Sequence, residues 1–292
     1  MFYKNKTASA AGAAALCLSG MLFTRPCITK QTEPSLKEGI KMNQPTDLKS
    51  SGSFSAKDKF GTPVTLDWFK TTVISADFST AMASTWSFAR DAYTPVEMQF
   101  LKAFPEVVGK DTYFKPFEPL FEKGIERVDW KAAEETMESI LKGHFVFDIA
   151  QLPLITKEHL IKMYSNDACF FVSVKDQATS TMLGFITFLM RGNYTAGDIK
   201  VMCFAVENSH QKRGLGKLLM SSIFKIIPDI KRIFLCTRVT NDTALKAYSA
   251  WGFTKDENPV MDHPFNLEHW PFMEYKTEQV DVLQKLAATI GK

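Results

Sequence analysis

The stretch His210-Gln-Lys-Arg-Gly-Leu-Gly-Lys-Leu-Leu219 puts two basic residues and two glycines directly ahead of an apolar, helix-spaced run. A glycine-rich turn that opens a helix is an anion cradle. The first backbone N–H groups of a helix lack internal partners, and the helix dipole is positive at that end. The question is which anion this loop is shaped for.

Two nucleotide motifs fail on inspection. A Walker A loop needs glycine at position 211 and Ser or Thr at 218; Gln211 and Leu218 stand there. The dinucleotide fingerprint needs a third glycine at 219, where the chain has Leu219. Working outward, the loop is preceded by D-I-K-V-M-C-F-A-V (198–206), a continuous apolar run that predicts a strand covered on both faces. Further on lies N-D-T-A-L-K-A-Y-S-A-W-G-F (241–253), a predicted helix with Asn241 as N-cap and Gly252 as its stop.

Together these segments resemble the GNAT superfamily of acyl-CoA-dependent N-acetyltransferases over residues 144–277. The family's pyrophosphate loop is matched by Gln211, Gly214 and Gly216. Its second signature is matched by Asn241, Ala244, Tyr248, Gly252 and Phe253. The resemblance implies an α/β (α+β) fold, with a mixed, mostly antiparallel sheet and a splayed central parallel strand pair. It implies acetyl-CoA as co-substrate and no metal.

The resemblance also implies roles. The backbone from Lys212 through Arg213, Gly214, Leu215 and Gly216 to Lys217 would wrap the coenzyme A pyrophosphate, with glycine permitting close approach. Lys212, Arg213 and Lys217 add positive charge or are solvated surface residues. Backbone groups of Phe204, Ala205 and Val206 would pair with the pantetheine amides, and one N–H would polarise the thioester carbonyl. Tyr248 would protonate the departing sulfur, or packs as a core aromatic. Asn241 would contact the cofactor as well as cap its helix. Glu207 and His210 are the candidates for the base, the bland reading of each being a polar loop residue. A carboxylate that some members carry early in the strand is replaced by Lys200. His263 and His269 fall near the last strands and are weaker candidates for an acceptor groove.

Composition narrows the classes. The chain has 292 residues, 45% hydrophobic and 23% charged, ordinary for a globular protein. A net charge of +3 gives no argument for nucleic acid. The five cysteines form no CxxC pair, and Cys169, Cys203 and Cys236 lie in apolar runs, which predicts buried thiols. Transfer is therefore expected to be direct, within a ternary complex. The alternative is a non-catalytic acyl-CoA-binding or interaction protein on the same fold. The acceptor amine, small molecule or protein, is not legible.

Residues 1–27 begin with a short basic start and an uncharged Ala-rich run. They read as an export signal, a membrane anchor short of the roughly 20 residues a span needs, or a tail with no targeting role. The catalytic domain is expected to be cytoplasmic, where acetyl-CoA is made. Residues 28–58 read as a flexible linker, 59–143 as a mainly helical region with helices over 66–93 and from a Thr94 cap onward, and 278–292 as a C-terminal helix.

Overall fold

The structure is a computed structural model that describes residues 50–71, 76–145, 168–190, 197–227, 229–257, 267–277 and 282–292. The elements, in chain order, are strands β1 (Ser51–Lys57) and β2 (Pro63–Thr71), then helices α1 (Ala76–Ser84) and α2 (Trp86–Ala103). A run of short 3-10 turns and α3 (Glu118–Phe121) leads to α4 (Trp130–Phe145). There follow β3 (Ala168–Asp176), β4 (Met182–Met190), β5 (Asp198–Val206), α5 (Leu215–Ile226), β6 (Arg232–Cys236) and α6 (Asp242–Ala250). Strands β7 (Thr254–Asp256) and β8 (Phe272–Lys276) and helix α7 (Val282–Ala287) close the chain.

The eight strands among the described residues form one sheet in the order β1-β2-β3-β4-β5-β6-β8-β7. Every neighbouring pair is antiparallel except β5 and β6. That parallel pair is joined for only three residues, Asp198↔Arg232 to Lys200↔Phe234. Beyond Lys200 the two strands part, and the sheet opens into a V. The mixed sheet with a splayed parallel pair is the expected fold class.

An ionic clamp holds the closed end of the V. Arg232 on β6 reaches Asp198 of β5 (Nη2 to Oδ2, 2.6 Å) and Glu274 of β8 (Nη1 to Oε1, 3.0 Å). Three neighbouring strands thereby share one guanidinium where the parallel pairing begins.

Each face of the sheet has its own core. On one face α5, α6 and α7 cover Val172, Ile186, Phe188, Ile199 and Leu235. On the other, Phe78 and Met82 of α1, Ala89 of α2 and Phe145 of α4 lie over Cys169, Phe171, Phe185, Leu189 and Ala205. A third cluster packs α2 on α4 around Phe100, Phe114, Phe117 and Met137.

Three readings of the N-terminal region are corrected. Ser51–Lys57, expected within the flexible linker, is the edge strand β1. Its Ser/Gly content suits an exposed edge, and Gly52 is small because the Trp68 indole lies over it, 2.7 Å from where a Cβ would stand. Pro63–Thr71, the start of an expected helix and of a mainly helical region, is strand β2. Val64, Leu66 and Trp68 alternate inward with period two, which the helix-spaced apolar residues downstream masked. No new helix begins at Thr94. Instead α2 runs through it with Pro95 inside, because Thr94 is buried and packing overrides the local cap signal. Helix α4 also passes its expected stop at Gly143 by two residues. After Gly143 the run H-F-V-F-D-I-A (144–150) reads as a strand and 156–167 as a helix. His144 and Phe145 instead end α4, whose helical packing carries through, and the rest of both readings, with segment 1–49, lies outside the described residues.

Candidate active site

The open end of the V is built from β5, the loop after it, the start of α5, and α6. Val206 and Ala205 pair with Gly184 and Phe185 of β4, and a register shift falls between Thr187 and Phe188. At that irregularity the Cys203 N–H bonds the Thr187 hydroxyl instead of a ladder carbonyl (3.1 Å). This redirects the next peptide. Phe204 then has its N–H and C=O on a side hydroxyl rather than on a strand, described below.

The loop leaves β5 through Glu207, whose N–H bonds Leu183 O (2.9 Å). The two base candidates are brought together: Glu207 Oε2 lies 2.7 Å from His210 Nδ1, and Ser209 Oγ lies 2.8 Å from the same nitrogen. Gln211 turns back to Asn208 (Nε2 to Oδ1, 2.7 Å) and shapes the turn from within.

Two left-handed residues then set the cradle, Lys212 (φ 63°) and Gly214 (φ 82°), the latter as N-cap of α5. Leu215 is buried beneath, and the Leu218 N–H returns to Gly214 O (3.0 Å). The N–H groups of Leu215, Gly216 and Lys217 thus precede the first helical bond of α5, and donors at this end are the ones a pyrophosphate would use. At Gly216 glycine is required by packing: a Cβ would stand 3.0 Å from Phe204 Cζ and 3.4 Å from the Trp251 ring. The start of α5 therefore rests on the side chain of the strand residue whose backbone faces the gap.

Arg213 is placed differently from its expected role. Its Nε binds Asp58 Oδ2 at 2.7 Å, and its carbonyl accepts the Lys59 N–H at 2.8 Å. Burial alone would raise the Asp58 carboxyl. The Arg213 bond and the Thr62 and Phe60 amides outweigh it and hold Asp58 below the usual carboxylate value. The guanidinium thus anchors the loop to the β1–β2 turn.

Asn241 caps α6 as expected, its Oδ1 accepting the Ala244 N–H (3.3 Å) while Nδ2 donates to Thr237 Oγ1 (3.0 Å). Tyr248 is buried among Phe204, Trp251 and Phe253, at ring separations of 6.5, 5.7 and 5.7 Å. Burial pushes its hydroxyl above the ordinary phenol value, so it keeps its proton at neutral pH. Burial likewise pushes the Cys203 thiol up to about 12.

Among the known families, residues 129–253 match the model of the Acetyltransferase (GNAT) family. Over those residues the chain is similar to GNAT acetyltransferases. The PaiA N-acetyltransferase of Thermoplasma acidophilum, solved with coenzyme A, shares 14% identity over 72% of this chain and 98% of its own, at a TM-score of 0.38. The spermidine N-acetyltransferase SpeG of Vibrio cholerae shares 18% over 42% of this chain and 74% of its own, at 0.30. No curated protein matches the chain.

Gly216, Phe204, Tyr248 and Trp251 lie together at the open end of the V, and the structure adds groups there that sequence reasoning missed. Tyr93 of α2 donates its hydroxyl to Phe204 O (3.1 Å) and accepts the Phe204 N–H (2.9 Å). Burial first, then the nearby Cys203 thiol, push this hydroxyl well above the phenol range. One turn further along α2, Glu97 binds Arg238, just past β6, through Nε (2.9 Å) and Nη2 (2.7 Å). Arg238 is sandwiched by Phe100 and Trp270 at 3.9 and 3.8 Å. One helix is thus fastened to both arms of the V. His269 packs on Phe100 and Phe104, and His263 lies outside the described residues. Among the described residues no cluster of His, Cys, Asp and Glu could hold a metal, and no helix is long and apolar enough to cross a membrane.

Proposed function

We infer that this GNAT domain is an N-acetyltransferase that moves the acetyl group of acetyl-CoA to an amine by direct transfer in a ternary complex. The observation that carries the reading is the parting of β5 and β6 after Lys200 beside the glycine-capped start of α5. The gap suits an extended amide-bearing arm, and the helix end suits its pyrophosphate.

In this reading the amine nitrogen attacks the thioester carbonyl carbon. The C–N bond forms, and the carbonyl π pair moves to oxygen and is held by the Phe204 N–H. Collapse of the tetrahedral species breaks the C–S bond. The sulfur takes a proton from Tyr248, and the ammonium proton passes through water to Glu207, with His210 on the same carboxylate. Phe204 and Val206 align the arm, whereas Ala205, expected to share that role, turns its main-chain groups to Phe185 of β4 because they alternate along the strand. Lys212 to Lys217 hold the phosphates by backbone N–H groups, with Lys212 and Lys217 supplying charge, and Asn241 positions the start of α6. A protonated Cys203 thiol is a poor nucleophile, which favours direct transfer over an acyl-enzyme.

The test is release of free thiol from acetyl-CoA against a panel of amines: peptide N-termini, lysine, polyamines and small-molecule amines. Turnover on at least one class is expected. Acetyl-CoA binding with no turnover on any class would favour a binding protein instead, and the absence of both would end the reading. We place the catalytic domain in the cytoplasm, where acetyl-CoA is available; fractionation of cells expressing the tagged full chain, alongside a form lacking residues 1–30, checks this.

A further inference from the structure

One oxygen atom in this site already occupies the position the reaction needs. The Tyr93 hydroxyl accepts the Phe204 N–H at 2.9 Å and donates to the Phe204 carbonyl at 3.1 Å. These are the two main-chain groups of that residue, and a neighbouring strand would normally pair with them. An acceptor oxygen at hydrogen-bond distance from that N–H stands where a thioester oxygen would be held for attack. One N–H cannot serve both oxygens well.

Helix α2 is built to let this residue go while staying attached. Pro95 lies inside α2, two residues after Tyr93. Proline has no N–H, so the Asp91 carbonyl loses its helical partner at that turn, and the ring crowds it. On the far side of Pro95, Glu97 is locked to Arg238 by a buried two-pronged bond. The half carrying Glu97 is fixed. The half carrying Tyr93 is joined to it through the weakest turn of the helix. Its ring packs on Phe145 at 5.9 Å, and among the described residues no further hydrogen bond holds the hydroxyl.

We propose that Tyr93 is an internal competitor for the acyl-thioester position: its hydroxyl seals the Phe204 peptide in the free protein, and acyl-CoA binding displaces it about a hinge at Pro95. The proposal rests on the donor assignment made above. The seal spares the Phe204 amide from solvent until the arm arrives, and the displaced helix turn opens the acceptor side at the same moment. A donor that cannot evict Tyr93 would not be aligned for attack.

The test compares the full-length wild type with Tyr93→Phe by calorimetry, using acetyl-CoA and adenosine 3′,5′-bisphosphate, which lacks the pantetheine arm. Tyr93→Phe keeps the ring against Phe145 and removes only the competing oxygen. Acetyl-CoA should bind about threefold to tenfold tighter, the equivalent of one net hydrogen bond, while the bisphosphate is unchanged. Pro95→Ala restores the missing helical bond and should shift acetyl-CoA affinity the other way. Equal acetyl-CoA affinity in wild type and Tyr93→Phe, weaker binding in Tyr93→Phe, or a parallel gain for the bisphosphate would overturn the proposal and leave the donor assignment standing. A loss of kcat at unchanged affinity would likewise overturn it and make Tyr93 a reacting group. Failure of both proteins to bind either ligand would overturn the donor assignment and the proposal together.

Discussion

Glu97 and Arg238 sit 141 residues apart in the chain and form a buried, two-pronged ion pair that ties helix α2 to the arm of the V after β6. Both side chains are almost fully buried, at 6% and 3% exposed. Removing one partner strands the other charge between Phe100 and Trp270. Glu97→Ala should therefore lower unfolding stability by about 3–5 kcal/mol, read from denaturant midpoints. Glu97→Gln, which retains acceptor shape, should cost less. A wild-type midpoint for Glu97→Ala would show that the pair contributes nothing.

Tyr248→Phe removes the proposed proton donor and leaves the aromatic packing with Trp251 and Phe253 in place. The expected effect is a fall in kcat of about 100-fold, the lower end for a general acid, because a thiolate is a tolerable leaving group. KM for acetyl-CoA should not move. Full activity would assign Tyr248 to the core alone.

Gly216→Ala brings a methyl to within 3.0 Å of Phe204 Cζ. Overpacking of this kind costs about 1–3 kcal/mol. Here the pressure falls on the Phe204 ring, so acetyl-CoA affinity should drop along with thermal stability. Loss of stability alone, with affinity intact, would separate the loop's packing from its ligand role.

Asp58 carries a pH dependence of known sign. Its folded carboxyl is held below its unfolded value of 3.8. The stabilisation is complete above that value and is lost as pH falls through the lower folded one. Asp58→Asn should lower stability at pH 7 and flatten the acid limb of a stability-against-pH curve. It should also raise KM for acetyl-CoA, since Arg213 loses its anchor. An unchanged acid limb would remove Asp58 from that account.

Cys203, with its thiol pushed up to about 12, should react slowly with iodoacetamide at pH 8. Cys203→Ala should retain kcat within about twofold, and initial-rate plots with varied amine should intersect. Parallel lines, or a dead variant that still folds and binds acetyl-CoA, would point to an acyl-cysteine.

This end of the sheet was readable because its patterns are local. A glycine loop, the strand before it and a capped helix after it each announce themselves within a dozen residues, and Gly214, Asn241 and β5 stand where the pattern put them. Tyr93, Asp58 and Glu97 were silent for the opposite reason. Their partners lie 111, 155 and 141 residues away, and no local pattern marks a tyrosine that will reach a distant peptide. The Arg213 side chain misled because a basic residue in a phosphate loop looks the same whether its partner is a ligand or a buried aspartate. Strand β1 misled because an exposed edge tolerates the serines and glycines that otherwise signal a linker.

The stretch that carries the family signature, 129–253, is not a separable module. Its first described strand, β3, has β2 as its outer neighbour, and β6 pairs with β8, which begins at Phe272. A fragment cut to those limits would present two raw sheet edges to solvent, and Arg213 would be left without the aspartate that seats it. Such a fragment should aggregate, whereas one spanning residues 50–292 keeps every described strand with its described partners. Any transplant of this fold has to carry the β1–β2 hairpin with it.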